Sequence, residues 1–308
     1  MLYMGNVNRA IVWFFIPILL LLYIVFRVIV WQNFDDGGRQ LIAEQHRLNL
    51  SDKDEIDCLV LGGSNALFSL SAEQMSNHSN LNCYNLSLLN EGFSDFAYFD
   101  FIRNLPMERS DIKSIIYSSV YPLSNTGFAE RLEHNQNETG IVGEQRFQLI
   151  GRPVASYLKD FMQGKPLFTS PQYPTPNSFG DFNFDEYDGC QQEKITDEWI
   201  PVTVDEDFKQ WLSENLLTIS TLFPNANISF VVPSTLRSQV SEDDFSKFTD
   251  TLEFELVSNS VNYIEQSSFS DASVLCDGTH HANAVGREIR TSELLVLIQN
   301  PQSPVTMD

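Results

Sequence analysis

The segment Ile56-Asp57-Cys58-Leu59-Val60-Leu61-Gly62-Gly63-Ser64-Asn65 opens as an apolar run broken only by Asp57 and closes on two glycines, a hydroxyl and an amide. Such a run suits a parallel strand buried on both faces. Glycines at its end permit a tight turn and close approach of another group to the backbone. Next, Ser71-Ala72-Glu73-Gln74-Met75 has the small polar residue and the acid and amide groups that begin a helix. The alternation then repeats. Strands are expected at Asn82 to Leu86, Ser114 to Tyr121 (stopped by Pro122), Ile228 to Val232 (stopped by Pro233) and Val261 to Ile264. Helices are expected after the Ser94 cap, over Asp205 to Leu222 and Asp243 to Val257, and from Ala284 to Ile298. This order predicts a three-layer α/β/α domain around a mostly parallel five-stranded sheet.

Upstream of the first strand, Ile11 to Phe26 holds no charged residue and the apolar character continues past Arg27 to Trp31. About twenty such residues cross a bilayer as a helix. No small-residue cleavage site follows, so the segment reads as a retained anchor rather than a signal peptide. Trp13, Tyr23 and Trp31 are interface-seeking aromatics. Arg9 lies on one side of the run and Arg27, Arg39 and Arg47 on the other, so positive charge does not orient it. The expected organisation is a tail (1–10), a transmembrane anchor (11–31), a connector (32–54), the α/β domain (55–300) and a C-terminal tail (301–308). Within the domain, about 125–201 is turn-rich and aromatic with little periodicity, and reads as an insertion or lid. Phe182, Phe184, Tyr187 and Trp199 supply apolar area there that favours burial.

The formal charge is −22, from 41 acidic against 19 basic side chains in 308 residues. That surface repels a phosphate backbone, which excludes nucleic acid as a partner class. The four cysteines have no close spacing of the metal-binding kind, and no metal or cofactor is expected. Cys58 and Cys83 read as small buried hydrophobes on separate strands, while Cys190 and Cys276 are a candidate bridge in an oxidising compartment.

A serine hydroxyl becomes a useful nucleophile when a base takes its proton and amide N–H groups receive the developing oxyanion. Ser64, at the start of a helix after Gly62-Gly63, offers its own N–H and that of Asn65. The base is sought in Cys276-Asp277-Gly278-Thr279-His280-His281-Ala282-Asn283-Ala284-Val285-Gly286, which holds two of the five histidines. Asp277, three residues before His280, is placed to accept the Nδ1 proton and aim Nε2 at a serine.

These two blocks resemble the SGNH, or GDSL, hydrolases, and Leu61 to Glu73 is similar to the serine block of the membrane-anchored branch linked to acylation and deacylation of cell-surface polysaccharide. The resemblance covers roughly Ile56 to Gln299, without the middle insertion, and implies a flavodoxin-like fold. By that resemblance Ser64 is the nucleophile, Asp277 the orienting acid and His280 the base, with His281 the alternate. The family's His-x-Asn-x-x-Gly run fits His281-Ala282-Asn283-Ala284-Val285-Gly286, whereas the acid–base spacing fits His280. His280 is preferred, because the acid–base spacing carries mechanism. Gly92 matches the family's oxyanion glycine. No Gly-x-Asn follows the third strand, which leaves Asn125 as a weak substitute.

The implied activity is ester hydrolysis or O-acyl transfer, with acetyl the expected acyl group, on a cell-surface glycan through an acyl-serine. Implied partners are an acylated glycan or small ester, the bilayer through 11–31 and a membrane protein that donates acyl groups. The implied location is a single-pass protein of the inner (plasma) membrane with its domain outside the cytoplasm. The alternative is an SGNH-like binding or assembly protein of weak or no activity, motivated by the absent asparagine block.

Overall fold

A computed structural model of the protein describes residues 35–53, 55–88, 95–119, 174–187, 190, 206–239, 241–266, 268–269, 271–276, 278 and 280–299. The chain divides into two compact units, Met1–Gln40 with Glu138–Gln172 and Leu41–Asn137 with Tyr173–Asp308. The sheet and the candidate site belong to the second. The apolar run 11–31 lies outside the described residues; among those described, no helix is long and apolar enough to cross a membrane.

Five strands, β1 (Cys58–Gly62), β2 (Cys83–Asn85), β3 (Ser114–Ser118), β4 (Asn227–Val231) and β5 (Asn262–Ile264), form one sheet in the order β2-β1-β3-β4-β5. Every pairing is parallel. All five residues of β1 are buried, as its unbroken apolar run requires. Alternation along the strands divides the core. Leu59, Leu61, Ile115, Tyr117 and Phe230 share one cluster with helices α1 (Asp35–Ser51), α4 (Asp95–Arg103), α5 (Glu206–Leu222) and α6 (Glu242–Ser258). Cys58, Val60, Ile116 and Val231 share the other with α2 (Ser64–Ser69), α3 (Ala72–His78) and α7 (Ala284–Gln299). The sheet is therefore covered on both faces, as expected for α/β.

This strand order is one of the two common doubly wound arrangements, and its connections reverse direction between β1 and β3. The carboxyl ends of those strands border the crevice where such sheets bind ligands. Ser64 follows the end of β1, and Ser118 closes β3.

One expectation needs correction here. Cys58 and Cys83 are not separate thiols: the register puts them side by side on β1 and β2, and they form a disulfide. Sequence spacing hid this because the strands become neighbours only in the sheet. Cys190 and Cys276 form a second disulfide. The described part of the insertion buries the apolar area noted in its sequence: Phe182 joins the main core, and Phe184 and Tyr187 pack against it.

Candidate active site

The turn that carries Ser64 depends on Gly62. Gly62 has φ +152°, and a Cβ there would lie 2.1 Å from the Ser118 carbonyl oxygen, so only glycine lets β1 approach the end of β3 this closely. Its N–H donates to the Tyr98 hydroxyl at 3.1 Å, and its carbonyl accepts from Leu88 N–H at 3.0 Å. Gly63 is the extended N-cap of α2, so Ser64 and Asn65 stand in the first turn, where amides lack intrahelical acceptors.

His281 meets Ser64: Nε2 lies 2.8 Å from Oγ, within reach for the hydroxyl to donate when Nε2 is unprotonated. The loop holding His281 is closed by backbone pairing. Leu275 and Ala282 form an antiparallel bridge, Cys276 N–H donates to the His281 carbonyl at 2.7 Å, and Asn283 N–H donates to Val274 at 2.9 Å. Asn283 also caps α7, its Oδ1 accepting from Gly286 N–H at 3.0 Å while its amide nitrogen donates to Ser273 at 2.6 Å. A Cβ on Gly286 would meet the Val274 carbonyl at 2.2 Å. The Asn–Gly spacing thus serves the turn, and by shaping the turn it places His281.

The preference for His280 as the residue facing Ser64 is corrected. Its Nδ1 donates to the Ser234 carbonyl at 2.7 Å, just beyond β4, and its own carbonyl accepts from Ser234 Oγ at 3.3 Å and Ser69 Oγ at 3.4 Å. Burial pulls its pKa down to about 4, partly opposed by the Ser234 carbonyl, so the ring is neutral and pins the loop to the sheet. Acid–base spacing along the chain did not reveal which of two adjacent rings turns toward β1 and which toward β4.

Asp277, Gly92 and Asn125 lie outside the described residues. The Asn65 side chain does not face outward. It is buried, and its Nδ2 donates to Ser118 Oγ at 2.9 Å, linking the start of α2 to the end of β3. Its backbone amide, in the first turn of α2, is the group that remains for the oxyanion contact expected of Asn65.

Sequence reasoning missed the aromatic groups behind the histidine. Phe68, one turn beyond Ser64 on α2, stacks on the His281 ring with centroids 4.6 Å apart and planes 16° apart. Phe182 stacks with Phe68 at 4.3 Å. Phe184 and Tyr187 meet Phe68 edge-on at 5.7 and 5.9 Å. The only signal was the apolar area of the insertion, which asked for burial but did not say where.

Asp181 was also missed. It is buried and accepts from Ser71 Oγ and Ala72 N–H, both at 2.7 Å, and from Glu73 N–H at 3.0 Å, so it caps α3 from a distant segment. Burial raises its pKa, opposed by these hydrogen bonds and by the Arg287 charge. Arg287 donates to the Phe182 carbonyl at 2.6 Å and lies over the Phe184 ring. The aromatic segment is thereby held between α3 and α7.

Among the described residues no group of three or more His, Cys, Asp or Glu is placed to hold a metal ion. No protein-family model matches the chain, and no curated protein matches it.

Proposed function

We propose that this chain is a serine-dependent ester hydrolase or O-acyltransferase of SGNH type, acting on acyl esters, acetyl foremost, of a cell-surface glycan. One observation carries the reading: the Ser64 hydroxyl and His281 Nε2 are in hydrogen-bonding contact at the carboxyl end of β1, where a parallel sheet of this order binds ligands.

In this reading Ser64 Oγ attacks the acyl carbonyl as its proton passes to His281 Nε2. The oxyanion is received by the amides of Ser64 and Asn65, with Gly92 the further donor implied by the family resemblance. The protonated His281 then gives its proton to the departing sugar oxygen. Water, or the hydroxyl of an acceptor sugar, releases the acyl group from Ser64, with His281 as base. The family resemblance gives Asp277 the task of fixing the histidine tautomer.

Residues 11–31 anchor the protein in the inner membrane, with its domain on the extracytoplasmic side. Two disulfides within the α/β unit support an oxidising compartment. A membrane protein that passes acyl groups outward is the partner that transfer would require.

Labelling with a fluorophosphonate probe tests the nucleophile. The protein is expected to be labelled and Ser64→Ala is not; folded protein left unlabelled across a range of pH would turn the reading toward a non-catalytic binding protein. Product analysis with an acetylated polysaccharide, with and without an acceptor glycan, separates the two reactions. Free acetate alone indicates hydrolysis, and acetyl on the acceptor indicates transfer.

A further inference from the structure

The three-ring stack His281–Phe68–Phe182 joins three parts of the chain at the edge of the main core. Phe68 belongs to the helix that starts at Ser64, His281 to the loop before α7, and Phe182 to the insertion. Both phenylalanines are almost fully buried, at 2% and 1% exposure. Phe68 is nearly parallel to the imidazole, at 16°, and its centroid is 4.6 Å away. A packing contact between an aromatic ring and a neutral imidazole does not need that face-on geometry. A cation over an aromatic face within about 6 Å is stabilised by the ring quadrupole, and the more so when water is excluded.

We propose that Phe68, backed by Phe182, is a positioning residue that holds the His281 ring with Nε2 toward Ser64 and stabilises the imidazolium formed when the Ser64 proton is taken. This rests on the serine–histidine reading above and adds to it a source of transition-state stabilisation outside the triad. The charge on His281 exists only after proton transfer, so the contact is stronger in the transition state than in the ground state and acts on turnover rather than on substrate binding. The insertion supplies the backing. The Phe182 carbonyl is tied to Arg287, and the neighbouring Asp181 is tied to α3, so the segment that backs Phe68 is held from both α7 and α3.

The test uses the full chain and two probes, a fluorophosphonate and 4-nitrophenyl acetate. In the labelling reaction the Ser64 Oγ–P bond forms, the P–F bond breaks with loss of fluoride, and the serine proton goes to His281. Phe68→pentafluorophenylalanine keeps the ring and close to its volume but reverses its quadrupole. Its labelling rate and its kcat on the acetate are expected to fall about fivefold to thirtyfold, with KM within about twofold. Phe68→Tyr, which keeps the electron-rich face, is expected to stay within about threefold of the parent. Circular dichroism and the unfolding midpoint are recorded for each variant. A pentafluoro variant that reacts at the parent rate would overturn the proposal, as would an equal loss in Phe68→Tyr, which would reduce the contact to packing. Parent protein that is not labelled at Ser64 would instead overturn the catalytic reading beneath it.

Discussion

The Ser64 hydroxyl and the His281 ring lie 2.8 Å apart across a sequence separation of 217 residues, and the adjacent His280 points elsewhere, to the Ser234 carbonyl at 2.7 Å. Two neighbouring rings of the same chemistry therefore have opposite surroundings. One meets a hydroxyl at the mouth of the crevice. The other, equally half-buried, holds the Ser234 carbonyl and is kept neutral.

That difference separates their substitutions. His281→Ala is expected to lower kcat on 4-nitrophenyl acetate by roughly three to four orders of magnitude while leaving the unfolding midpoint near that of the parent. His280→Ala is expected to cost about 1–3 kcal/mol of stability, because it leaves the Ser234 carbonyl without its partner, and to retain far more activity than His281→Ala. Steady-state kinetics beside urea unfolding on the same samples checks both, and the reverse pattern would restore His280 as base.

Asp181→Asn tests whether the insertion is fastened to the core. The carboxylate accepts three hydrogen bonds from the start of α3, and an amide presents only one acceptor oxygen and turns a donor toward donors. The expected loss is about 2–4 kcal/mol of unfolding free energy. Faster proteolysis within 174–187 is expected to accompany it. Unchanged stability would show that this cap contributes nothing.

Acid is expected to destabilise the fold through two histidines, His46, which is buried, and His280, which is half-buried. Burial lowers the pKa of His46, whose Nδ1 lies 3.0 Å from the Tyr84 hydroxyl, from 6.5 to about 4, and does the same to His280. As pH falls from 6.5 toward 4 the unfolded chain takes up protons that the folded chain refuses. Unfolding free energy therefore declines over that window, by up to about 1.4 kcal/mol per pH unit for each histidine. Urea titrations at pH 7 and pH 5 give the slope. His46→Gln is expected to flatten it by the share of one proton.

The two disulfides close loops of different span, with sequence separations of 25 for Cys58–Cys83 and 86 for Cys190–Cys276. In the chain-entropy model these are worth roughly 3.5 and 4.6 kcal/mol. Replacing Cys190 and Cys276 by serine is expected to reduce activity as well as stability, because the bridge fixes the backbone at 276, whose N–H holds the His281 carbonyl. Replacing Cys58 and Cys83 by alanine is expected to affect stability mainly. Denaturation midpoints and acetate turnover for the two double variants make the comparison.

Much of the architecture was legible because burial writes itself into composition. A strand covered on both faces, such as Cys58–Gly62, must be apolar throughout, and a helix with one face on the sheet, such as Glu206–Leu222, must be amphipathic. Ser71 announced α3 correctly because a cap is local chemistry, its hydroxyl accepting from Gln74 N–H. The same locality made Ser64 and the Asp277–His281 segment visible as blocks before any contact between them was known.

What the chain by itself determined is therefore the alternation of strands and helices, the parallel sheet, and the two short blocks at its opposite ends, since each follows from interactions among residues close in sequence. The tertiary structure alone decided which histidine reaches Ser64, that Cys58 pairs with Cys83, that Asn65 turns inward to Ser118, and that Phe68 and Phe182 stand behind the imidazole. Each of these is a choice among partners that lie side by side only after the sheet has formed. Pattern and spacing carry no record of how a ring or an amide is turned within the assembled core.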